Sequence, residues 1–126
     1  AWNGGMSVIN PDERIDPRNQ RAPRNKDHYA NLKAQAWFSL RARFENAYKK
    51  KMGREYDATH IIGLPADLPY LEQLQDELCQ PHKKESGTGK VLVDKQPDGA
   101  QSPNLADAVV MAFFPLSAKA SILDVL

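Results

Sequence analysis

The sequence predicts an α/β fold, because helix-like segments and a strand-like segment follow one another along the chain. Apolar side chains recur every three or four residues over residues 29–52 and again over residues 67–80, as in helices that bury one face. A short run rich in valine and leucine at residues 90–94 predicts a strand, and an apolar run at residues 103–114 predicts a last helix. One strand is too few for a sheet, so we expect the fold to be incomplete, with further strands outside the chain.

The first two helices carry end signals. Asp27 precedes the first helix and is predicted to cap its exposed amides, and Gly53 is predicted to end it after three consecutive lysines. Asp67 is predicted to cap the second helix, with Pro69 tolerated in its first turn, and Pro81 ends it. These signals set the expected helix boundaries.

The rest of the chain is predicted to be less regular. Residues 6–9 and 59–63 are expected to be short extended pieces. Residues 10–25 contain Pro11, Pro17 and Pro23 among arginines and predict a Pro/Arg-rich loop. We take residues 1–126 as a single domain or a domain fragment, since domains usually span roughly 100–150 residues.

Composition indicates an ordinary globular protein. Hydrophobic residues make up 41% and charged residues 26% of the 126 residues, and no apolar run approaches the ~20 residues of a membrane helix. Cys79 is the sole cysteine, which excludes a disulfide framework and a Cys-x-x-Cys metal site within the chain. We therefore expect an intracellular, soluble protein.

Charge is distributed unevenly along the chain. Residues 1–54 carry 12 Lys and Arg against 5 Asp and Glu, whereas residues 55–126 carry 5 against 11. A basic half can bind phosphates and an acidic half can bind divalent cations. The two halves can equally well neutralise each other, so charge alone leaves both interpretations open.

Two familiar kinds of site are absent from the sequence pattern. Gly89 and Lys90 match the end of a phosphate-binding loop, but that motif needs Gly and Ser or Thr where the chain has Lys84 and Val91. The three histidines lie far apart, and none is spaced from another His or a Cys as zinc ligands are. They are predicted to be surface or packing residues.

Asp107 is the acidic residue that the sequence singles out. It lies among Leu105, Ala106, Ala108 and Val109 in the apolar last helix. An ionised carboxylate in such a helix is costly unless it is paired or bound to a metal. The alternative is a solvent-facing aspartate near a helix N-terminus, which is a common arrangement.

Two segments resemble one protein family. The run Ser-Pro-Asn-Leu-Ala-Asp-Ala at residues 102–108 resembles the helix start found near the end of the nuclease domain of phage terminase large subunits. The run Asn-Lys-Asp-His-Tyr-Ala-Asn-Leu-Lys-Ala-Gln-Ala-Trp-Phe-Ser-Leu-Arg-Ala-Arg-Phe at residues 25–44 resembles a second helix of one branch of that family. Both segments occur in the expected order, and the resemblance covers roughly residues 20–114.

The resemblance implies a ribonuclease H-like nuclease domain, of which this chain would be the C-terminal part. It implies cleavage of concatemeric viral DNA during packaging, with two divalent cations, Mg²⁺ or Mn²⁺, held by three acidic residues. Asp107 matches the last of these acids and is the expected catalytic and metal-binding residue, while the other two would lie upstream of this chain. The implied partners are double-stranded viral DNA, the terminase ATPase domain, the portal and the small terminase subunit, in the host cytoplasm.

Four basic residues are candidates for contact with the DNA backbone: Lys26, Lys33, Arg41 and Arg43. Such contacts would be independent of DNA sequence and sensitive to salt. The competing interpretation is a solvated helix face. For the chain as a whole, the alternatives to a nuclease are a non-catalytic DNA- or portal-binding assembly module and an inactive prophage remnant.

Overall fold

A computed structural model describes residues 3–114, which form α-helices and a small antiparallel sheet. The predicted α/β class is confirmed. Within these residues, no helix has the length and apolar character needed to cross a membrane. The elements are α1 (Asn25–His28), α2 (Leu32–Lys51), α3 (Leu71–Cys79), β1 (His82–Glu85), β2 (Val91–Asp94) and α4 (Asn104–Phe113).

Helix α2 begins three residues later than the periodicity predicts. Its N-cap is Asn31, whose Oδ1 accepts a hydrogen bond from the Ala34 amide at 3.0 Å, so the prediction that Asp27 caps this helix is wrong. Tyr29 is extended and forms a parallel bridge with Val91, and the Ala30 amide donates to the Val91 carbonyl at 2.9 Å. Pairing with β2 therefore takes these residues out of the helix although their spacing fits it.

Helix α3 is also shorter than predicted at its N-terminal end. It begins at Leu71, and its N-cap is Tyr70 in a left-handed conformation (φ 62°), so Asp67 does not cap it. Leu68 precedes Pro69, and a residue before proline is disfavoured in helical conformation. Separate turns therefore occupy residues 65–71, with the Leu68 amide bonded to Pro65 and the Leu71 amide to Leu68.

The sheet of the described residues is a two-stranded hairpin, and the sequence predicted only its second strand. β1 pairs with β2 so that His82 faces Asp94 and Glu85 faces Val91. All four residues of β1 are exposed, so none of them needs to be apolar. The sequence of β1 therefore lacks the alternation of apolar and polar residues that predicts a strand. Gly89, with φ +81°, provides the left-handed residue that the connecting turn requires.

The two predicted extended pieces form no strand, because side chains bind their backbone groups instead. Gln35 bonds both the amide and the carbonyl of Ile9, at 2.9 and 3.0 Å. In the other piece, Asn46 donates to the His60 carbonyl at 2.8 Å and Arg43 to the Ile61 carbonyl at 2.9 Å. Helix α2 thus fixes both segments through polar side chains.

The core lies where α2 meets β2, α3 and α4. Trp37 and Leu40 of α2 are 7% and 3% exposed, and Val110 of α4 is 1% exposed. Trp37 is thus a core residue, while Phe44 is partly buried at the edge of the core. Because α4 packs on both α2 and α3, the position of its first turns is set by the core.

Candidate active site

Asp107 lies in the first turn of α4, and the helix seats it at the edge of the core. Its neighbours Ala106 and Val110 are 0% and 1% exposed, whereas the Asp107 side chain keeps 24% of its surface exposed. The carboxylate is therefore partly desolvated but still open to solvent or to another group.

Lys95 is the partner of Asp107. Its Nζ donates to both carboxylate oxygens, at 3.0 Å to Oδ1 and 2.8 Å to Oδ2, and its side chain is 22% exposed. Lys95 directly follows β2, and its carbonyl accepts a hydrogen bond from Gln80, so the backbone beneath the ion pair is fixed. The cost of placing a carboxylate in an apolar helix is met here by pairing, one of the two ways expected from the sequence.

A second carboxylate reaches the same helix start from α3. Glu77 Oε1 accepts a hydrogen bond from the Leu105 amide at 2.8 Å, which satisfies one of the free amides at the N-terminus of α4. Gln73 holds the other oxygen of Glu77 at 3.0 Å. Sequence reasoning missed this residue, because 28 positions separate Glu77 from Leu105 and no local motif joins them.

The residues that the structure describes do not make a two-metal centre. Carboxylate oxygens are suitable ligands for hard divalent cations, and Asp107 offers two. Over residues 3–114, however, no three His, Cys, Asp or Glu side chains are grouped so that they could hold a metal ion. Asp107 is thus at most a single ligand, and Lys95 occupies its carboxylate.

Two of the predicted DNA-binding residues are solvent-facing but paired. Lys26 of α1 donates to Asp12 at 2.8 Å, with half of its side chain exposed. Arg41 of α2 lies 3.3 Å from Glu45 and over the Phe38 ring. Exposed pairs of this kind contribute about 0–1 kcal/mol, so both cations can exchange their partners for phosphates at little cost.

The other two predicted DNA-binding residues differ from each other. Lys33 lies partly exposed in the first turn of α2. Arg43 bonds the Ile61 carbonyl and lies over the Phe113 ring, and burial lowers the pKa of its guanidinium. Arg43 therefore binds elements of the chain itself, so its contact with DNA stays a prediction.

Solved structures of one viral protein match this fold. The nuclease domain of the large terminase subunit gp2 of bacterial virus Sf6 aligns with a TM-score of 0.77 and 27% identity, over 92% of this chain and 53% of that one. A mutant of the same domain solved with manganese aligns with a TM-score of 0.76 and 28% identity, over 90% and 52%. A mutant solved with calcium aligns with a TM-score of 0.76 and 28% identity, over 90% and 51%.

Other comparisons found no relative: no family model matches the chain, and no curated protein does. The chain spans about half the length of the solved domains that it matches. Its ribonuclease H-like fold is the one predicted from the two sequence segments. The chain is therefore similar, in fold and in sequence, to part of the nuclease domain of a phage terminase large subunit.

Proposed function

We propose that this chain forms part of a metal-dependent DNA endonuclease that cuts concatemeric phage DNA during packaging. The similarity to a terminase nuclease domain, at 27% identity over nine-tenths of the chain, is the observation that carries the proposal. The matched domain has been solved with manganese and with calcium, which supports a divalent cation, Mg²⁺ or Mn²⁺, as the cofactor.

Within the proposed site, Asp107 supplies one carboxylate ligand. Its position on a helix seated by buried Ala106 and Val110 gives the carboxylate a fixed direction. Lys95 balances the charge of Asp107, so any other cation that binds there must compete with the Lys95 ammonium. The remaining acidic ligands are proposed to come from the half of the domain that the match does not cover.

The proposed substrate is double-stranded viral DNA, with Lys26, Lys33 and Arg41 as candidate contacts to its backbone. Two of these cations have exposed partners and the third, Lys33, is partly exposed, which suits salt-sensitive binding. The terminase ATPase domain, the portal and the small terminase subunit are the proposed partners of the complete system in the host cytoplasm.

The test is plasmid nicking by the chain extended upstream to the length of the matched domains, with Mn²⁺. We expect Asp107→Asn to lower the nicking rate at least about 100-fold, since even a group behind a metal ligand contributes 10- to 100-fold. Asp76→Asn is the matched control, because the Asp76 side chain is exposed on α3 and makes no hydrogen bond or ion pair with residues 3–114. Equal rates in both variants would exclude Asp107 from catalysis and favour a non-catalytic binding module.

A further inference from the structure

A second surface feature is a shallow hollow on the side of α2, with a volume of about 420 Å³. We call it the α2 hollow. Its α2 residues are spaced by three and four positions, so they form one stripe along the helix. The lining residues are Arg41, Phe44, Glu45, Tyr48, Lys49 and Arg54.

The end of α2 folds back to complete the α2 hollow. Gly53 adopts a left-handed conformation (φ +69°), and the Arg54 amide donates to the Lys49 carbonyl at 2.8 Å. This is the usual way in which a glycine reverses the chain after a helix. The reversal brings Arg54, which is beyond the helix, against the stripe that carries Lys49.

The α2 hollow carries surplus positive charge. Arg41 shares Glu45, at 3.3 Å, whereas Lys49 and Arg54 make no ion pair within 4.0 Å to any residue that the structure describes. Among residues 3–114, these two cations therefore have no carboxylate partner. Interaction with the helix dipole does not require this arrangement, because Lys50 and Lys51 already stand at the same helix end outside the hollow.

Aromatic side chains lie between the cations. Tyr48 is 58% exposed, and Phe44 is partly buried. Arg41 and Phe44 also line a neighbouring apolar groove of about 490 Å³. The α2 hollow is thus a basic rim around an aromatic floor, which continues along the surface.

We infer that the α2 hollow docks the sugar-phosphate backbone of duplex DNA, with Lys49 and Arg54 each contacting a phosphate and Tyr48 lying against a sugar. This inference rests on the proposed nuclease function and adds a contact surface that the cutting reaction itself does not define. Arg and Lys side chains supply many of the protein contacts to DNA phosphates, and Lys49 and Arg54 make no ion pair with any described residue, which suits a continuous row of phosphates. DNA is therefore favoured over an acidic protein surface.

The test measures binding of a fluorescent DNA duplex to the 126-residue chain at several salt concentrations, with a chelator present so that no cutting occurs. Affinity falls as salt rises, and each lost phosphate contact makes the plot of log affinity against log salt less steep by about 0.9. Lys49→Gln/Arg54→Gln should therefore make it less steep by about 1.8. At 0.1 M salt, we expect the same double variant to bind DNA roughly 60-fold more weakly. Each phosphate contact raises the affinity about eightfold when salt falls from 1 M to 0.1 M, and the variant loses two such contacts.

The matched control is Arg21→Gln/Lys90→Gln, which removes the same net charge at residues outside the α2 hollow and without ion pairs in the described part of the chain. We expect its slope to equal that of the unchanged chain. Equal slopes for the two double variants would overturn the inference. It would also be overturned if Lys49→Gln/Arg54→Gln bound DNA as well as the unchanged chain but was no longer retained on immobilised polyglutamate, since the hollow would then bind an acidic protein surface. Circular dichroism is measured on both variants, and we expect both to keep their helices.

The result is separable from that of the proposed nuclease. Asp107→Asn is expected to leave the salt slope unchanged, while it lowers the nicking rate of the extended protein at least about 100-fold. If the extended protein does not nick plasmid DNA but Lys49→Gln/Arg54→Gln shows a less steep salt dependence of DNA binding, the proposed nuclease is contradicted and the DNA-binding surface is supported. The reverse pattern would keep the nuclease and contradict the DNA surface.

Discussion

The ion pair between Lys95 and Asp107 predicts a measurable coupling energy in folding. Both side chains are about one-quarter exposed, 22% and 24%, and Nζ lies 2.8 Å from Oδ2. Exposed pairs contribute about 0–1 kcal/mol, and breaking a fully buried pair costs about 3–5 kcal/mol. For this intermediate exposure we expect a coupling of about 1–2 kcal/mol.

The assay is a double-mutant cycle. The free energy of unfolding in urea is measured for the unchanged chain, for Lys95→Met, for Asp107→Asn and for the variant that carries both substitutions. Each single variant should lower the free energy of unfolding, and the second substitution should then cost less than it does alone. The more exposed pair of Lys84 and Asp94, with 59% and 28% exposure, is the control and should couple more weakly than Lys95 and Asp107.

Salt provides an independent check on the same cycle. A partly screened pair should lose some of its coupling in 1 M salt, where the Debye length is about 3 Å. A coupling for Lys95 and Asp107 below about 0.3 kcal/mol, within the error of additive sites, would show that Lys95 does not compensate the carboxylate.

Two further predictions concern stability. Asn31→Ala should lower the free energy of unfolding by about 1 kcal/mol, because it removes the N-cap of α2. Asp27→Ala should change the free energy of unfolding by less than about 0.5 kcal/mol. Urea unfolding of both variants distinguishes the two candidate caps. Burial, aided by the charge of Arg43, lowers the pKa of His60 from 6.5, so the unfolded chain binds more protons and stability falls as pH drops below about 6.5. Thermal unfolding near pH 7.5 and pH 5.5 should show a smaller loss in His60→Gln; an equal loss would contradict the assignment.

The fold was predictable where local spacing and packing agree. The apolar stripe of α2 and the apolar run of α4 identify both helices, since their buried faces lie on one core. The start of α2 was not predictable, because the pairing of Tyr29 with Val91 is made across 62 positions of sequence. β1 was not predictable either, since its exposed His-Lys-Lys-Glu residues have no apolar face.

The candidate site was predictable only in part for the same reason. Asp107 stands out because a carboxylate in an apolar helix needs compensation, but sequence does not show which group provides it. Lys95 does so from the segment after β2, and Glu77 caps α4 from another helix. Arg43 looked like an exposed cation, yet its position three residues after buried Leu40 turns it toward Ile61 and α4.

The central claim is that this chain provides one part of a nuclease site and that the rest of the domain provides the other part. The most direct measurement compares Mn²⁺-dependent plasmid nicking by the 126-residue chain and by the chain extended upstream to the length of the matched domains. We predict nicking by the extended protein and little or none by the 126-residue chain, whose described residues offer no group of three metal ligands. Robust metal-dependent nicking by the 126-residue chain, or none by the folded extended protein, would contradict this account.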